Sequence, residues 1–335
     1  MPRKARIDAS GALHHIIIRG IAKRKIFEDD KDRNQFVKRL DDILTEAKTP
    51  IYAWALIPNH VHLLLKTGLT PISTIMRRLL TGYAGYFNRR HRRYGHLFQN
   101  RYKSILCQEE PYFRELVRYI HLNPLRAKLV KDSKALDRYP YSGHSAVIGK
   151  VKRDWQQVDY VLGFFGKRKS EARKAYQYFV EQGINQGRRP ELIGGGLIRS
   201  VGGWAVLSAL RDEAVRVKGD ERILGDTDFV EAVLKQADEQ LQRRYQLKTR
   251  GFNLDRVAER VAQVLGMPVE IVWERSRRPQ VAVARSLLCY WASTELSMSM
   301  TDLARRLNLS QPAVSIAVRR GEKIARENQY QLAED

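Results

Sequence analysis

The sequence predicts an α+β fold for the first part of the chain and an all-α fold for the last part. Up to about residue 122, segments follow the order strand, helix, strand, strand, helix, strand, helix, which is the ferredoxin-like split βαβ pattern plus one helix. From about residue 253, apolar residues recur only at helical spacing. We therefore expect an N-terminal domain with an antiparallel sheet and helices over 1–150, a mostly helical linking region over 151–250, and a helical C-terminal domain over 251–335.

A local sequence pattern predicts each helix and strand of the first domain. Runs of β-branched and apolar residues predict strands, and apolar residues three or four apart predict helices. The turn Pro58-Asn59 joins two strands as a hairpin. Asp29 and Asp30 suit the start of the first helix, and Pro111 with two acidic neighbours suits the start of the last. The predicted strands are 13–19, 51–57, 60–66 and 102–107, and the predicted helices are 30–47, 71–89 and 109–122.

The charge of the chain points to nucleic acid as its partner. Sixty Lys and Arg residues against 37 Asp and Glu give a net charge of +23, and the excess is spread along the sequence. A field of this sign attracts phosphate backbones. The alternative on charge alone is a ribosome-type or simply soluble basic protein.

The sequence also predicts a cytoplasmic protein without a membrane partner. No apolar run reaches the roughly 18 residues that a membrane span requires, and no signal-peptide core follows the N-terminal residues M-P-R-K-A-R. The two cysteines, Cys107 and Cys289, lie far apart in apolar runs, so we expect two buried thiols and neither a disulfide nor a cysteine-based zinc site. The sequence leaves the number of subunits open.

A pair of histidines in the third strand, within P-N-H-V-H-L-L over 58–64, is the first candidate site. The period of a strand places His60 and His62 on one face and Val61 on the other, so two imidazoles form half of a site for a divalent ion. Such a triplet also arises by chance in roughly one sequence of this kind in ten. In the predicted topology the first strand lies beside the third, which brings His14 or His15 near this face unless both are ordinary core histidines.

A polar stripe on the last helix of the domain is the second candidate. Tyr112, Glu115, Tyr119 and Asn123 recur at intervals of three and four residues and share one helix face. A carboxamide oxygen suits Mg²⁺ or Mn²⁺, and a phenol beside it could attack a metal-bound phosphate. Pro124 disfavours helical geometry at Asn123. The alternative is a capping Asn and a tyrosine in an amphipathic interface.

Four separated motifs carry a family resemblance. They are G-A-L-H-H-I-I-I-R-G (11–20), P-N-H-V-H-L-L-L (58–65), G-H-L-F-Q-N-R-Y-K-S (95–104) and R-Y-I-H-L-N-P-L-R-A (118–127). In this order they resemble the single-tyrosine HUH transposases, most closely the REP-associated subgroup, over about residues 1–150. The resemblance implies an HUH fold with His60 and His62 as metal ligands, Tyr119 as the nucleophile and Asn123 as a third metal contact. Many relatives have Gln where this chain has Asn123.

The resemblance also implies a reaction. A divalent ion, Mg²⁺ or Mn²⁺, assists Tyr119 in cleaving single-stranded DNA beside REP-like hairpins, through a 5′-phosphotyrosine intermediate and a free 3′-hydroxyl, so that the strand can be rejoined. The DNA contacts expected in this domain are Arg19, Arg101, Tyr102 and Lys103. The alternative function is a non-catalytic DNA- or RNA-binding regulator with a degenerate HUH surface.

The region after residue 150 has fewer signals. Residues 176–183 predict a helix that ends at a glycine, and residues 229–244 predict a heavily charged helix. The glycine-rich run I-G-G-G-L-I-R-S-V-G-G-W over 193–204 fits neither a Walker loop nor a dinucleotide fingerprint. We expect it to be a flexible linker.

The C-terminal residues predict a helix-turn-helix. Helices are expected over 254–265 and 282–296, and residues 300–320 have the spacing of two helices with Asn308 at the turn and Ser310 as N-cap. Residues 254–324 also resemble the DNA-binding domain of the replication initiator DnaA, without its base-reading signature. Duplex DNA is therefore the expected partner, and a protein-binding helical bundle is the alternative. The expected groove contacts are Gln311, Ser315 and Arg319, and the expected phosphate contacts are Arg305 and Arg306.

Overall fold

The computed structural model describes residues 7, 11–68, 70–187, 189, 192, 220, 222–274, 276, 278–296 and 298–333. It divides into two compact units, Met1–Val233 and Leu234–Asp335. The linker predicted over 193–204 lies outside the described residues. The three-part division expected from the sequence stays a prediction.

A mixed sheet forms the centre of the first unit. Its strands are β1 (Leu13–Arg19), β2 (Ile51–Ile57), β3 (His60–Lys66), β4 (Lys103–Cys107) and β5 (Ile223–Leu224). The order across the sheet is β2-β3-β1-β4-β5, and β1 pairs antiparallel with both β3 and β4. The α+β class and the central position of β1 are thereby confirmed. The sequence did not predict β5, a two-residue strand that pairs parallel to β4.

Helices cover both faces of this sheet. One face carries α1 (Asp30–Ala47) and α2 (Ile72–Arg90), and the other carries α3 (Glu109–His121) and the short α4 (Asn123–Arg126). The Asp29 carboxylate caps α1 by accepting a hydrogen bond from the backbone N–H of Asp32. Four further helices pack on the α3 face, namely α5 (Ser133–Asp137), α6 (His144–Val147), α7 (Val158–Gly163) and α8 (Lys169–Glu181).

The two faces of the sheet belong to separate cores. Ile16, Ile18 and Val61 point into the core beneath α1 and α2, whereas Leu13 and Leu64 point into the core beneath α3. Successive strand residues alternate between the faces, so the positions of His60 and His62 share the face of Leu64. The predicted separation of the two histidines from Val61 is confirmed.

The second unit consists of helices in the part that the structure describes. Helix α9 (Thr227–Thr249) crosses the division between the units, and α10 (Leu254–Leu265), α11 (Val269–Trp273), α12 (Pro279–Thr294), α13 (Met300–Leu307) and α14 (Gln311–Glu327) follow. Asn308 ends α13 in the left-handed conformation, with φ 51°, which asparagine tolerates. Ser310 caps α14 by accepting a hydrogen bond from the N–H of Ala313.

Two further expectations concern thiols and membranes. Cys107 and Cys289 are both buried and unbridged, as predicted. Among the described residues, no helix has the length and apolar character needed to cross a bilayer.

The packing of α14 on α12 generates a testable prediction. A Cβ atom on Gly321 would lie 2.0 Å from the carbonyl oxygen of Ser286, which is backbone and cannot turn aside. We expect Gly321→Ala to lower the free energy of unfolding of the second unit by about 1–3 kcal/mol, as overpacking does. The control is Gly163→Ala, because a Cβ there meets no atom within 4 Å. Equal unfolding midpoints for Gly321→Ala and the wild type in urea titration would contradict the packing.

Candidate active site

Three histidines converge on the α3 face of the sheet. The register of β1 against β3 places Ile17 opposite His62 and Arg19 opposite His60. The Nε2 atom of His15 lies 2.9 Å from Nδ1 of His62, and these two rings stack with centroids 5.1 Å apart. The centroids of His60 and His62 are also 5.1 Å apart, at an interplanar angle of 80°. Of the two histidines predicted to approach this face, His15 reaches it.

Each member of the predicted metal pair has its Nδ1 atom engaged. The Nδ1 atom of His60 lies 2.7 Å from the side-chain oxygen of Asn59. Because a carboxamide oxygen only accepts, this Nδ1 carries the proton and Nε2 keeps its lone pair. Nδ1 of His62 is hydrogen-bonded to Nε2 of His15, and Nε2 of His62 keeps its lone pair in the tautomer in which Nδ1 is the donor. A second hydrogen bond of this kind orients metal-binding imidazoles in many proteins.

Burial keeps these imidazoles neutral. It lowers the pKa of His60 to about 4, with a smaller contribution from the positive charge of Arg19. Burial also holds the pKa of His62 well below its ordinary value, and the neighbouring His15, His60 and Arg19 act in the same direction. Neutral imidazole is the form that binds metal ions, so both rings are in the ligand form at neutral pH.

Helix α3 brings Tyr119 against the histidines. The ring of Tyr119 meets His62 edge-on at a centroid distance of 5.7 Å and His15 at 6.0 Å. On its other side, the guanidinium carbon of Arg126 lies 5.3 Å from the centre of the Tyr119 ring. Arg126 also donates to the backbone oxygens of Tyr119, at 3.4 Å, and Gly183, at 3.4 Å. The ring of Tyr119 thus contacts the rings of His15 and His62 and the guanidinium of Arg126.

Asn123 lies one helical turn after Tyr119, at the junction of two helices. Helix α3 ends at His121 and α4 begins at Asn123, with Pro124 in its first turn. The side chain is 8% exposed, and its Nδ2 atom has no hydrogen-bond partner. A rotation of the carboxamide by about 180° exchanges the positions of Nδ2 and Oδ1. Only the hydrogen-bond partners distinguish these two orientations of the side chain. A buried amide end without a protein partner can bond to a water or to a ligand.

The donor set fits a divalent ion. His60 offers the lone pair of its Nε2, His62 a neutral ring on the same strand face, and Asn123 a buried carboxamide, whose oxygen is a hard donor. No cluster of three His, Cys, Asp or Glu residues suited to metal binding occurs in the described part of the chain. An ion bound here would therefore rely on the amide of Asn123 and on oxygens from water or substrate.

Other residues of the predicted stripe have different surroundings. The carboxylate of Glu115 forms ion pairs with Arg118 at 2.6 Å and with Arg189 at 3.0 Å. Tyr112 packs partly buried against the α3 core. His14 points to the opposite face of the sheet, where its Nδ1 lies 3.1 Å from the hydroxyl of Ser104. Burial lowers the pKa of His14 to about 4.

The residues predicted to contact DNA in the first unit divide into two groups. Arg19, Arg101 and Lys103 are exposed, and Arg19 lies across from His60. Tyr102 is 8% exposed and packs into the core beneath α1 and α2, so its ring has no open face on which a base could stack. Strand period explains this, because Tyr102 shares a face with Ser104, opposite to the face of His15, His60 and His62.

The residues predicted to contact DNA in the second unit lie on α13 and α14. Arg305, Arg306 and Gln311 are exposed, and Ser315 and Arg319 are half-buried. Two of the exposed side chains have partners within the unit. Arg305 forms an ion pair with Asp302 at 3.3 Å, and Gln311 donates to the hydroxyl of Thr301 at 3.0 Å.

A buried hydrogen-bonded chain anchors the end of α3 that carries Tyr119. The Tyr176 hydroxyl lies 2.7 Å from Nδ1 of His121 and 2.8 Å from Nδ1 of His144. His144 Nε2 in turn donates to Asp137 over 3.0 Å, because a carboxylate only accepts. Burial lowers the pKa of His121 and raises the pKa of Tyr176. Side chains of α3, α5, α6 and α8 are thereby joined two residues beyond Tyr119.

The sequence reasoning missed three contributors to this site. Asn59 stands directly before the histidine pair, so its place in the hairpin turn was a usable signal. Arg126 follows Tyr119 by only seven residues, so its closeness in sequence was a usable signal. The contacts of Tyr176 with His121 and His144 join residues that are 55 and 32 positions apart, so no local sequence pattern predicts them.

Comparisons with known proteins find similarity to one family model and to a solved structure. Residues 9–123 match the sequence model of the family described as "Transposase IS200 like". A solved structure described as the REP-associated tyrosine transposase bound to a REP hairpin aligns with 48% of this chain and 90% of its own, at 16% identity and a TM-score of 0.37. No curated protein matches the chain.

The buried chain at Tyr176 generates a prediction. Replacing Tyr176 by Phe keeps the ring and leaves two buried imidazole nitrogens without a partner, and each such group costs about 1–3 kcal/mol. The matched control is Tyr83→Phe, on the opposite face of the sheet, which loses one hydrogen bond to the carbonyl of Ile26. We expect Tyr176→Phe to lower the thermal unfolding midpoint more than Tyr83→Phe does. Equal midpoints for the two variants would show that the chain contributes no more than one ordinary hydrogen bond.

Proposed function

We propose that this chain, whose residues 9–123 carry the sequence pattern of the IS200-like transposases, cleaves and rejoins single-stranded DNA with Tyr119 as the nucleophile. The observation that carries the proposal is the edge contact of Tyr119 with His62, whose neighbour His60 has its Nε2 lone pair available. A phenol against a pair of neutral imidazoles, with a buried amide four residues after the phenol, suits phosphodiester chemistry. The substrate in this proposal is an unpaired strand beside a REP-like hairpin, in the cytoplasm.

The residues have separate tasks in this reaction. His60, His62 and Asn123 would hold a divalent ion, Mg²⁺ or Mn²⁺, which when bound neutralises charge on the non-bridging phosphate oxygens. Asn59 and His15 fix the ring orientations of His60 and His62 through their Nδ1 atoms. The sheet and α3 thus supply the orientation on which an in-line attack depends.

In the proposed step, the scissile phosphoryl group is transferred from the 3′ oxygen of the DNA to the oxygen of Tyr119. The Tyr119 oxygen gives up its proton and attacks the scissile phosphorus, a new P–O bond to tyrosine forms, and the P–O bond to the 3′ oxygen breaks. The departing 3′ oxygen takes a proton and becomes a hydroxyl. The product is a 5′-phosphotyrosine, and attack by a 3′-hydroxyl reverses the step and restores the enzyme. Rejoining therefore needs no ATP.

The second candidate function is a non-catalytic regulator that binds DNA or RNA through the same surface. The net charge of +23 favours nucleic-acid binding in either case. The contact of Tyr119 with His62 and the neutral histidine pair favour the enzyme, because a binding surface has no need of a phenol packed against metal-binding imidazoles. Covalent capture of a labelled hairpin oligonucleotide in Mg²⁺ or Mn²⁺ separates the two functions.

Tyr119→Phe is expected to abolish the covalent adduct and leave hairpin affinity nearly unchanged. The phenolic oxygen is the nucleophile, whereas the ring that packs on His15 and His62 is retained. Denaturing gels measure the adduct, and fluorescence anisotropy measures binding. Normal adduct formation by the Phe variant would remove Tyr119 from the reaction.

His60→Ala and His62→Ala serve as companion variants in the same assay. Each is expected to lose metal-dependent adduct formation. A variant that keeps full activity at saturating Mg²⁺ would place the metal elsewhere. Fully duplex DNA is the substrate control, since the proposed attack needs an unpaired strand, and equal rates on duplex and hairpin-flanking single strand would contradict the proposed substrate.

We also propose that α13 and α14 form a helix-turn-helix that holds duplex DNA. The N-cap of α14 at Ser310 and the left-handed turn residue Asn308 support this arrangement. In such a motif the N-terminal part of the second helix enters the major groove, where Gln311, Ser315 and Arg319 would face base edges. Arg305 and Arg306 would reach phosphates. A tethered duplex-binding module raises the local concentration of the scissile strand.

Replacing both Gln311 and Arg319 by Ala is expected to weaken binding of long, duplex-containing substrates about tenfold or more, through loss of groove contacts. Cleavage of a minimal hairpin at saturating concentration should not change. The control is the double variant Arg326→Ala and Gln331→Ala, which removes the same charge from exposed positions late in the unit. If the two double variants bind long substrates equally at equal salt, the protein-binding alternative for this unit is preferred.

A further inference from the structure

The segment that joins α2 to β4 is strongly basic. Residues 86–108 contain five Arg and one Lys and no Asp or Glu. Some of this charge is neutralised within the fold, since Arg90 forms ion pairs with Asp29 and Asp32 at the start of α1. Arg92 and Arg101 are exposed. We call residues 91–102 the basic loop.

One aromatic ring of the basic loop stands in solvent. Tyr94 is 94% exposed, the highest value among the large hydrophobic residues that the structure describes. The backbone around it is fixed by hydrogen bonds, because Asn88 Nδ2 donates to the oxygen of Gly95 at 3.0 Å and Arg93 donates to the oxygen of His96 at 3.0 Å. A single exposed ring is ordinary on protein surfaces, so its meaning depends on its position.

The basic loop is attached to the strand end that carries the candidate site. The N–H of Ile21 donates to the oxygen of Leu97 at 3.0 Å, and the N–H of Gln99 donates to the oxygen of Arg19 at 2.9 Å. Arg19 is the residue opposite His60 in the β1–β3 pair. Tyr94 is three residues from Leu97, and three residues of chain span at most about 11 Å. Tyr94 therefore belongs to a loop that backbone hydrogen bonds hold at the end of β1 that lies across from His60.

We infer that Tyr94 is a stacking platform for an unpaired base of the strand that the site cleaves, with the exposed Arg92 and Arg101 of the same loop as phosphate contacts. This inference rests on the proposed function and names a binding residue outside the reacting groups. Non-specific single-strand sites combine a basic groove with exposed aromatic rings, because every base has a face that can stack. Both faces of a base inside a duplex stem are covered by the neighbouring bases. The base that stacks on Tyr94 therefore belongs to the unpaired DNA that flanks a stem.

The test compares Tyr94→Ala with Tyr178→Ala, whose ring is 65% exposed on α8. Affinities are measured in the full chain, by anisotropy at fixed salt, for a hairpin with a single-stranded flank and for the same hairpin without it. We expect Tyr94→Ala to lose about 5- to 100-fold in affinity for the flanked hairpin only. Tyr94→Phe and Tyr94→Trp should retain it, since stacking needs no hydroxyl. Tyr178→Ala should bind both oligonucleotides as the wild type does.

Two outcomes would overturn the inference. Wild-type affinity of Tyr94→Ala for the flanked hairpin would show that the ring binds nothing, and an equal loss on both hairpins would place the contact on the duplex stem. The adduct assay on the same samples keeps the proposed function separate. If the wild type forms no adduct and Tyr94→Ala still loses flank affinity, the platform stands and the cleavage reaction fails.

Discussion

The pairing of β1 with β3 is the constraint on which the candidate site depends. Its register sets His15 within hydrogen-bonding distance of His62 and sets Arg19 opposite His60. A slip of one residue would turn every side chain of β1 to the other face, so His15 would exchange places with His14 and apolar residues would leave both cores. The apolar packing that stabilises the sheet therefore also fixes the histidines.

The tyrosine and the asparagine of the site lie at a helix end that contacts with distant parts of the chain hold in place. Tyr119 and Asn123 lie at the end of α3, where the helix stops at His121 and restarts at Asn123. The contacts of Arg126 with Tyr119 and Gly183, and the hydrogen bonds of Tyr176 with His121 and His144, hold this end against residues up to 57 positions away. The helices of 133–181 thus stabilise a site whose reacting groups all precede them in the chain.

Much of the first unit was predictable because its elements have strong local patterns. The strand bounds 51–57 and 60–66 follow from apolar runs and a two-residue turn, and strand period gives the shared face of His60 and His62. The choice between His14 and His15 was not predictable, because β1 is buried on both faces and its two sets of alternating residues are equally apolar. Tyr102, just before β4, is buried where the sequence predicted a DNA contact, and the two-residue β5 is too short for a sequence pattern to predict.

The two buried thiols have a practical consequence. Cys107 is 2% exposed and Cys289 0%, and burial raises the pKa of Cys289 to about 12, so little of it is thiolate at neutral pH. The chain holds no third cysteine. A cysteine introduced on the surface, for example in place of Tyr178, should therefore react alone with a maleimide dye or spin label. Each unit has exposed positions for such a label. With one label in each unit, the measured distance between the two labels would report whether the separation of the units changes when DNA binds.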